Sequence, residues 1–280
     1  MPQFIPMASS TTSGTDLRDL AQYLSSASGI ELDESKGYLF ETRLRRIADE
    51  NGCSTLTGLL EKSRRDTTGK LRGQLIDAVS TNETYFFREP QQFSLLAHKL
   101  IPDHFEKTDP RRCRIWCAAA STGQEIYSVA ITLKEMLGSF NNYQIQIVGT
   151  DISTGVLEKA SRGHYSQLEV SRGLTPDRIK RFFVPKGNDW AISDELRSLA
   201  TFRHQNLLEP APSLGSFDIA LCRNVAIYFS PANRVKLFSN IAQHLRHGGV
   251  LVVSMTESLG LNPQPFVRSE FRGINYYSLP

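Results

Sequence analysis

The stretch CAAASTGQEIYS, residues 117–128, carries the residue types most suggestive of ligand chemistry. It lies where an apolar run, CRIWCAAA, gives way to the helical pattern IYSVAITLKEML, as in a strand that turns into a helix. It holds one glycine, Gly123, and Glu125 follows two residues later. A second apolar run ends in GTDIS, which places Asp151 28 positions beyond Gly123. Because ligands of open parallel sheets bind outside the carboxyl ends of the strands, both acids are candidate binding residues.

The scarcity of glycine in this turn separates two kinds of adenosine cofactor. An acid after the second strand can accept hydrogen bonds from both ribose hydroxyls, which suits NAD and S-adenosylmethionine equally. A pyrophosphate also needs several bare backbone amides, supplied by a GxGxxG turn that this chain lacks. S-adenosylmethionine has no phosphate, and its sulfonium and ammonium groups suit a carboxylate such as Glu125. The alternative is a purely structural role, in which the acids, or Ser121 and Thr122, only cap helices.

The pattern of apolar residues changes near residue 80. Residues 16–80 have apolar residues at helical spacing, with expected helix ends at Gly29 and Gly52, and predict an all-helical N-terminal domain. Residues 81–92 read as a linker that contributes to the cofactor site, and residues 1–15 as a disordered lead-in. After Pro110, short apolar strands alternate with helices, which predicts a parallel sheet in a domain spanning 93–280. Residues 165–204 break this rhythm and predict an inserted subdomain, and FVRSEFRGINYYSL predicts a closing pair of strands.

The bulk composition excludes several classes of protein. The 280 residues, with 40% apolar and 22% charged residues, are typical of a folded protein of one or two domains. A formal charge of +3 is too small to indicate general nucleic-acid binding. The four cysteines lack the spacing of a zinc site or a disulfide framework, so we expect no metal and a cytoplasmic protein with reduced thiols. We find neither a signal peptide nor an apolar stretch of the ~20 residues that a membrane span needs.

From Asp16 to Leu279 the sequence resembles the chemotaxis receptor methyltransferases of the CheR type. The stretches that carry the resemblance are TNETYFFRE (81–89), WCAAASTGQEIYS (116–128), GTDIS (149–153), LEKASRGHY (157–165), QNLLE (205–209) and FDIALCRNVAIYF (217–229). The resemblance implies an α/β fold: a Rossmann-like S-adenosylmethionine-dependent methyltransferase sheet with a small inserted antiparallel β-subdomain, preceded by an all-α domain. It implies methyl transfer from S-adenosyl-L-methionine to glutamate carboxylates of chemoreceptors, giving methyl esters and S-adenosyl-L-homocysteine.

The resemblance also assigns cofactor contacts, residue by residue. They fall on Asn82, Thr84, Arg88, Glu125, Asp151, Asn206, Leu207, Arg223 and Asn224. The alternative for TNETYFFRE is a linker packed by its aromatic residues. The chain departs from the family pattern GEEPYS at Gln124 and Ile126, and Ala226 stands where a bulkier residue is common.

Arg88, already in the cofactor set, and Tyr228 are candidates for holding the target carboxylate. This carboxylate is already an anion at neutral pH, so it needs alignment and desolvation rather than deprotonation. Arg88 can donate two hydrogen bonds to it and Tyr228 one. A core aromatic is the alternative for Tyr228.

A basic helix face predicts the docking surface for the receptor. Lys36, Arg43 and Arg46 lie close together on the second helix, and residues 36–72 hold nine cations and five acids. A merely solvated face is the alternative. In some members of the family that the chain resembles, an extended glycine-rich loop of the inserted subdomain holds a receptor's C-terminal tail peptide. Here that loop reads VPKGNDWAIS, has Gly187 as its one glycine and is several residues shorter, so we expect no tight binding of that peptide.

Two other functions remain open at this stage. A nucleic-acid methyltransferase acting on base amino groups typically carries a D/N-P-P-Y/F motif after the fourth strand, where this chain has CRNVAIYF. A cofactor-binding interaction module without catalysis is also compatible with the fold.

Overall fold

The computed structural model describes residues 14–32, 37–108, 110–260 and 264–280. The chain divides into two compact units, Met1–Ser80 and Thr81–Pro280. Residues 1–13 of the expected disordered lead-in lie outside the described residues, and residues 14 and 15 belong to the first helix.

The first unit is helical throughout its described secondary structure. Its helices are α1 (Gly14–Ser28), α2 (Gly37–Glu50), α3 (Leu56–Arg65) and α4 (Lys70–Val79). Leucines at helical spacing form its core, because Leu20, Leu24, Leu59 and Leu75 are all fully buried. The helices α1 and α2 end just before glycines with left-handed backbone, Gly29 and Gly52, where the sequence predicts them to stop.

The second unit alternates helices and strands after a helical entry. The entry consists of α5 (Pro90–Leu95), a π-helical turn (Leu96–Leu100) and α6 (Ile101–Lys107). The elements that follow are β1 (Arg112–Ala118), α7 (Gln124–Leu137), β2 (Gln144–Asp151), α8 (Thr154–Arg162), β3 (His164–Ser166), α9 (Gln167–Ser171), α10 (Pro176–Phe182), β4 (Phe183–Lys186), β5 (Asp189–Ile192), α11 (Asp194–Arg197), β6 (Ala200–His204), β7 (Phe217–Cys222), α12 (Pro231–Gln243), β8 (Leu245–Val253), β9 (Val267–Phe271) and β10 (Ile274–Ser278).

Seven strands form one mixed sheet in the order β6-β2-β1-β7-β8-β10-β9. The first five pair in parallel, whereas β10 is antiparallel to both β8 and β9. All six residues of β7 are buried, as expected for a central strand covered on both faces. The carboxyl ends of β1, β2, β7 and β8 therefore meet at one edge of the sheet, which confirms the Rossmann-like prediction.

A small antiparallel sheet, β3-β5-β4, is inserted between β2 and β6. The sequence interpretation assigned all of residues 165–204 to this insertion, and on this point it was wrong for β6. That strand pairs in parallel with β2 through Ile147–Asp151 and is an edge strand of the main sheet. None of its five residues is buried, which is typical of an edge strand and explains why it resembled the exposed strands of the subdomain.

None of the helices in the described ranges is long and apolar enough to cross a membrane.

Candidate cofactor and active site

The turn between β1 and α7 uses its backbone amides for protein contacts. The Ala120 N–H donates to the Thr150 carbonyl (2.8 Å), the Ser121 N–H to Asp151 Oδ2 (2.9 Å) and the Gly123 N–H to the Ala120 carbonyl (3.0 Å). The Tyr165 hydroxyl donates to the Thr122 carbonyl (2.9 Å). These amides are therefore not free to bind a phosphate, in contrast to a glycine-rich phosphate loop.

Gly123 is required for packing as well as for conformation. Its φ is +93°, and a Cβ there would lie 2.9 Å from Ala160 Cβ and 3.0 Å from the Tyr165 hydroxyl. The glycine therefore brings the turn against α8 and the small sheet instead of opening space beneath a ligand. This geometry fits an adenosine cofactor without a pyrophosphate.

Ser121 and Thr122 do not cap α7, whose N-terminal flanking residue is Gly123 without a side-chain cap. The Ser121 hydroxyl donates to the Asn82 carbonyl (2.9 Å), and the Thr122 hydroxyl donates to Gln124 Oε1 (2.7 Å). The first of these bonds ties the linker to the turn after β1. It thus brings Asn82 beside the predicted cofactor site.

Asp151 joins two loops at the end of β2. Its Oδ2 accepts the Ser121 N–H, its Oδ1 accepts the Ser153 N–H (3.0 Å), and the residue is 6% exposed. The helix cap of α8 is Ser153, whose hydroxyl accepts the Val156 N–H, so Asp151 is not the cap. A carboxylate has about four lone-pair sites, so a single acid can accept several hydrogen bonds at once.

The linker TNETYFFRE is fixed by its aromatic residues, as the sequence predicts. Phe86 is fully buried and Phe87 is 6% exposed, and the Phe87 N–H donates to the Ser128 hydroxyl (2.9 Å). Gly173 packs directly on this segment, because a Cβ there would lie 1.8 Å from the Phe86 carbonyl oxygen. The Arg178 guanidinium lies 3.8 Å from the centre of the Phe87 ring. The half-buried Arg88 donates to the Glu83 carbonyl (3.0 Å).

Arg223, at the end of β7, is the centre of a buried charge cluster. Its Nη1 donates to Glu125 Oε2 (2.7 Å), and its Nη2 donates to Glu89 Oε2 (3.2 Å) and to the Arg88 carbonyl. The Arg223 side chain is 2% exposed, that of Glu125 13% and that of Glu89 19%. Burial raises the pKa of Glu125, and the charge and hydrogen bond of Arg223 act against that rise. In this arrangement the Arg223 side chain positions Glu125 and the linker.

Two acids that the sequence interpretation did not assign organise the strand ends. Glu89 accepts from Arg223 and from the Met255 N–H (3.1 Å), and Glu257 accepts the N–H groups of Asn224 (2.7 Å) and Ser254 (3.1 Å). Glu89 closes the TNETYFFRE stretch, and Glu257 lies four residues past β8. The rule that strand ends carry the chemistry, applied to β8 as it was to β1 and β2, would have found Glu257.

The remaining predicted site residues lie on the same loops or outside them. Leu207 is buried and its carbonyl accepts from Asn240 (3.0 Å), while Asn206 Oδ1 accepts the Leu208 N–H (3.0 Å). Thr84 and Tyr228 are half-buried. In the first unit, Arg43 and Arg46 are exposed on α2, and Arg46 pairs with Glu50 at 2.9 Å. Lys36 lies outside the described residues.

The departures from the family pattern are accommodated by packing. Ile126 is fully buried, and a Cβ at Gly149 in β2 would lie 2.2 Å from Ile126 Cδ1. Gln124 is 2% exposed and bonded to Thr122, and Ala226 is 3% exposed. The retained acid, Glu125, keeps its place in the first turn of α7.

Five residues other than glycine around this site have left-handed backbone. They are Phe87, Glu89, Ala119, Ser121 and Asn224, with φ between 49° and 64°. Among the described residues, only Arg272 outside the site shares this conformation. Such strain is typical of functional sites.

Comparisons with known proteins agree with this geometry. A family model described as the SAM binding domain of CheR methyltransferase matches residues 82–273, and one described as the all-alpha domain of CheR methyltransferase matches residues 15–80. The chain is 38% identical over 261 residues to chemotaxis protein methyltransferase Cher2 of Pseudomonas putida, which covers 91% of this chain and 94% of that protein. A chemotaxis protein methyltransferase of Vibrio anguillarum is 39% identical over 261 residues (90% and 92%), and chemotaxis protein methyltransferase 1 of Pseudomonas aeruginosa is 36% identical over 249 residues (87% and 90%).

Proposed function

The chain belongs to the CheR methyltransferase family, and we propose that it methylates glutamate carboxylates in the cytoplasmic methylation region of chemoreceptors, with S-adenosylmethionine as methyl donor. The observation that carries the proposal is the turn after β1. The N–H groups of Ala120, Ser121 and Gly123 donate to protein acceptors, and Gly123 is packed on α8. Two carboxylates adjoin the turn, Glu125 in the first turn of α7 and Asp151 at the end of β2.

Cofactor binding is assigned to the residues that surround this turn. Asp151 would accept hydrogen bonds from the ribose hydroxyls, and Glu125 would compensate the positive charge of the methionine part. Asn82, Thr84, Arg88, Asn206, Leu207, Arg223 and Asn224 complete the proposed cofactor set. Of these, Arg223 acts through Glu125 and the Arg88 carbonyl, which its side chain already contacts.

The target carboxylate is assigned to Arg88 and Tyr228. The Tyr228 hydroxyl makes no hydrogen bond to any of the described residues, so it is available to donate one. The Arg88 side chain donates one hydrogen bond, to the Glu83 carbonyl, and its guanidinium lies 5.8 Å from the centre of the Tyr85 ring. A guanidinium with five N–H groups keeps further donors for a carboxylate. Methyl transfer forms one carboxylate O–C bond as the C–S bond of the bound cofactor breaks, so no proton has to move. The residues therefore align the glutamate and exclude water around it.

Receptor recognition is assigned to the exposed cations of α2, Arg43 and Arg46, together with Lys36. Positive charge on this surface complements the acidic methylation region and increases the rate of encounter. The inserted subdomain has a β4–β5 connection of only two residues, Gly187 and Asn188. We therefore propose that the enzyme acts without a receptor tail tether.

Incubation with S-adenosylmethionine labelled in its methyl group, together with receptor cytoplasmic fragments, tests this function. We expect label on receptor glutamates that alkali releases as methanol. Alkali-stable label on nucleic acid would indicate another methyltransferase, and cofactor binding without transfer to any receptor fragment would indicate an interaction module.

The Arg88→Ala variant tests the residue assignment within the same assay. We expect it to abolish methylation while the protein stays folded, because Arg88 is half-buried and, among the described residues, makes one side-chain hydrogen bond, to the Glu83 carbonyl, beside its contact with the Tyr85 ring. Arg162→Ala, which removes an exposed arginine from the last turn of α8, is the matched control. Near-normal turnover of Arg88→Ala would refute the assignment.

A further inference from the structure

We propose that Glu257 is a positioning residue that holds residues 224–228 in the conformation that presents Tyr228 to the target carboxylate. Nothing in the sequence motifs marks Glu257, and the inference rests on the proposed function of Tyr228. It stands on the contacts of one side chain with two loops.

The Glu257 carboxylate accepts four backbone N–H groups. Its Oε2 accepts from Asn224 (2.7 Å) and Ser254 (3.1 Å), and its Oε1 accepts from Val225 (3.0 Å) and Ile227 (3.3 Å). Three of the four donors belong to the loop after β7 and one to the loop after β8. A single half-buried acid thus joins the ends of two neighbouring strands and uses both of its oxygens.

The loop after β7 needs such a partner because its backbone is strained. Asn224 has a φ of 56°, and its N–H is the donor closest to Glu257. An ionised carboxylate can accept at every lone pair, and bonds between it and backbone amides are among the stronger hydrogen bonds of proteins. The carboxylate therefore stabilises a backbone conformation that is uncommon for residues other than glycine, although asparagine adopts it more readily than most.

Tyr228 comes directly after the residues whose N–H groups donate to Glu257. Residues Ala226–Tyr228 form a short 3₁₀ turn, in which the Tyr228 N–H donates to the Val225 carbonyl (3.1 Å). Val225 and Ile227 are both bound to Glu257 Oε1, so the orientation of this turn depends on that oxygen. Since misplacement of a positioning group by about 1 Å can cost ~100-fold in rate, the clamp matters for catalysis.

The Glu257→Gln variant tests the clamp without relying on activity. Glutamine has the same shape, but its NH₂ group cannot accept, so two of the amides lose their partner. In hydrogen exchange followed by mass spectrometry, we expect the segment 223–229 to exchange at least ~10-fold faster, with core strand β1 unchanged. Glu270→Gln, which alters an exposed acid in β9, is the control and should leave the pattern unchanged. Unaltered exchange of 223–229 in Glu257→Gln would overturn the inference.

Receptor methylation then tests whether the clamp acts through Tyr228. We expect Glu257→Gln to lower kcat by ~10- to 100-fold, with a smaller change in cofactor affinity measured by calorimetry. Combined with Tyr228→Phe, its effect should be less than multiplicative, because both changes remove the same contact to the carboxylate. Multiplicative effects, or a change in cofactor affinity alone, would contradict the positioning role.

The two failures can be told apart. If the wild-type protein transfers methyl groups to receptor glutamates but Glu257→Gln keeps its kcat, the positioning role is wrong and the proposed function stands. If the wild-type protein transfers none, the proposed function is wrong, and the role of Glu257 in catalysis is refuted with it.

Discussion

Replacing Arg223 by methionine should leave Glu125 as a buried carboxylate without its cation. In the wild-type protein the two side chains meet at 2.7 Å, and they are 2% and 13% exposed. Methionine fills much of the space of the arginine stem but offers no donor. Glu89 is less affected, because it also accepts from the Met255 N–H and the Asn224 side-chain amide and is 19% exposed. The change therefore acts mainly on the charge of Glu125, and it also removes the hydrogen bond to the Arg88 carbonyl.

The magnitude follows from the protonation of Glu125. Removing one partner of a buried ion pair costs about 3 to 5 kcal/mol. The loss has an upper limit, because the carboxyl group can take up a proton instead. With an unfolded-state pKa near 4.3, that uptake costs about 3.7 kcal/mol at pH 7. We therefore expect Arg223→Met to lower the free energy of unfolding by about 3 to 4 kcal/mol at pH 7.

The pH dependence has a definite sign. Burial raises the pKa of Glu125 in the folded protein, and loss of Arg223 raises it further. A raised folded-state pKa favours folding at low pH, and this contribution is lost as the pH rises above the unfolded-state value. Between pH 5.5 and pH 7 the Arg223→Met variant should therefore lose up to about 2 kcal/mol relative to wild type.

Urea unfolding at pH 5.5, 7 and 8, followed by tryptophan fluorescence, measures these changes. Trp116 and Trp190 both lie in the second unit, so the signal reports on the unit that holds the site. Adding Glu125→Gln to Arg223→Met should remove the pH dependence and recover at least half of the loss, and Arg162→Met is the surface control. An equal loss at pH 5.5 and pH 8 in the single variant would refute the reasoning.

Three further predictions concern two glycines, the proposed docking surface for the receptor, and the receptor tail peptide. Gly173→Ala should destabilise the protein by at least ~2 kcal/mol in urea unfolding, because the φ of Gly173 is +101° and a Cβ there would lie 1.8 Å from the Phe86 carbonyl oxygen. The control Gly187→Ala should cost only ~1 kcal/mol, because Gly187 has a φ of +62° and open space around it. Equal costs of the two substitutions would contradict this account. Replacing both Arg43 and Arg46 by Glu should weaken receptor binding at least ~10-fold in a pull-down titration and leave cofactor affinity unchanged. The control is Glu50→Gln, which removes the ion-pair partner of Arg46. Equal effects on receptor binding and cofactor binding would refute the docking surface. A peptide of a receptor's C-terminal tail should show no binding by calorimetry at ~100 μM, and micromolar affinity would overturn the tether-free proposal.

The order of helices and strands was readable from the sequence because periodicity and breakers agreed along most of the chain. The strand–turn–helix at residues 112–137 and the closing hairpin around Gly273 are in the predicted places. The assignment of β6 failed because an edge strand of a large sheet and the strands of a small exposed sheet are both short and consist mostly of exposed or half-buried residues. Only the pairing with β2, set by tertiary structure, separates the two.

The positions of Glu125 and Asp151 in the fold could be predicted from the sequence, and their contacts with the cofactor stay predictions. Glu125 and Asp151 follow strand ends, a position that marks ligand contacts in open sheets. The partner of Glu125 was not predictable from spacing, since Arg223 is 98 residues away and meets it only because β1 and β7 are neighbours. The position of Glu257 after β8 marks it as a candidate, but its partners are backbone amides, which leave no trace in the sequence.

The left-handed residues around the site have a consequence for how this protein can evolve or be engineered. Glycine at Glu89, Ala119, Ser121 or Asn224 would relieve steric strain in the folded state, yet it would remove side chains that the loops use and widen the range of conformations of the unfolded chain. Searches for more stable variants should therefore avoid these positions, since a gain in stability there trades against turnover. They should act on α1, α3, α4 and β9, away from the site and from the proposed docking surface on α2.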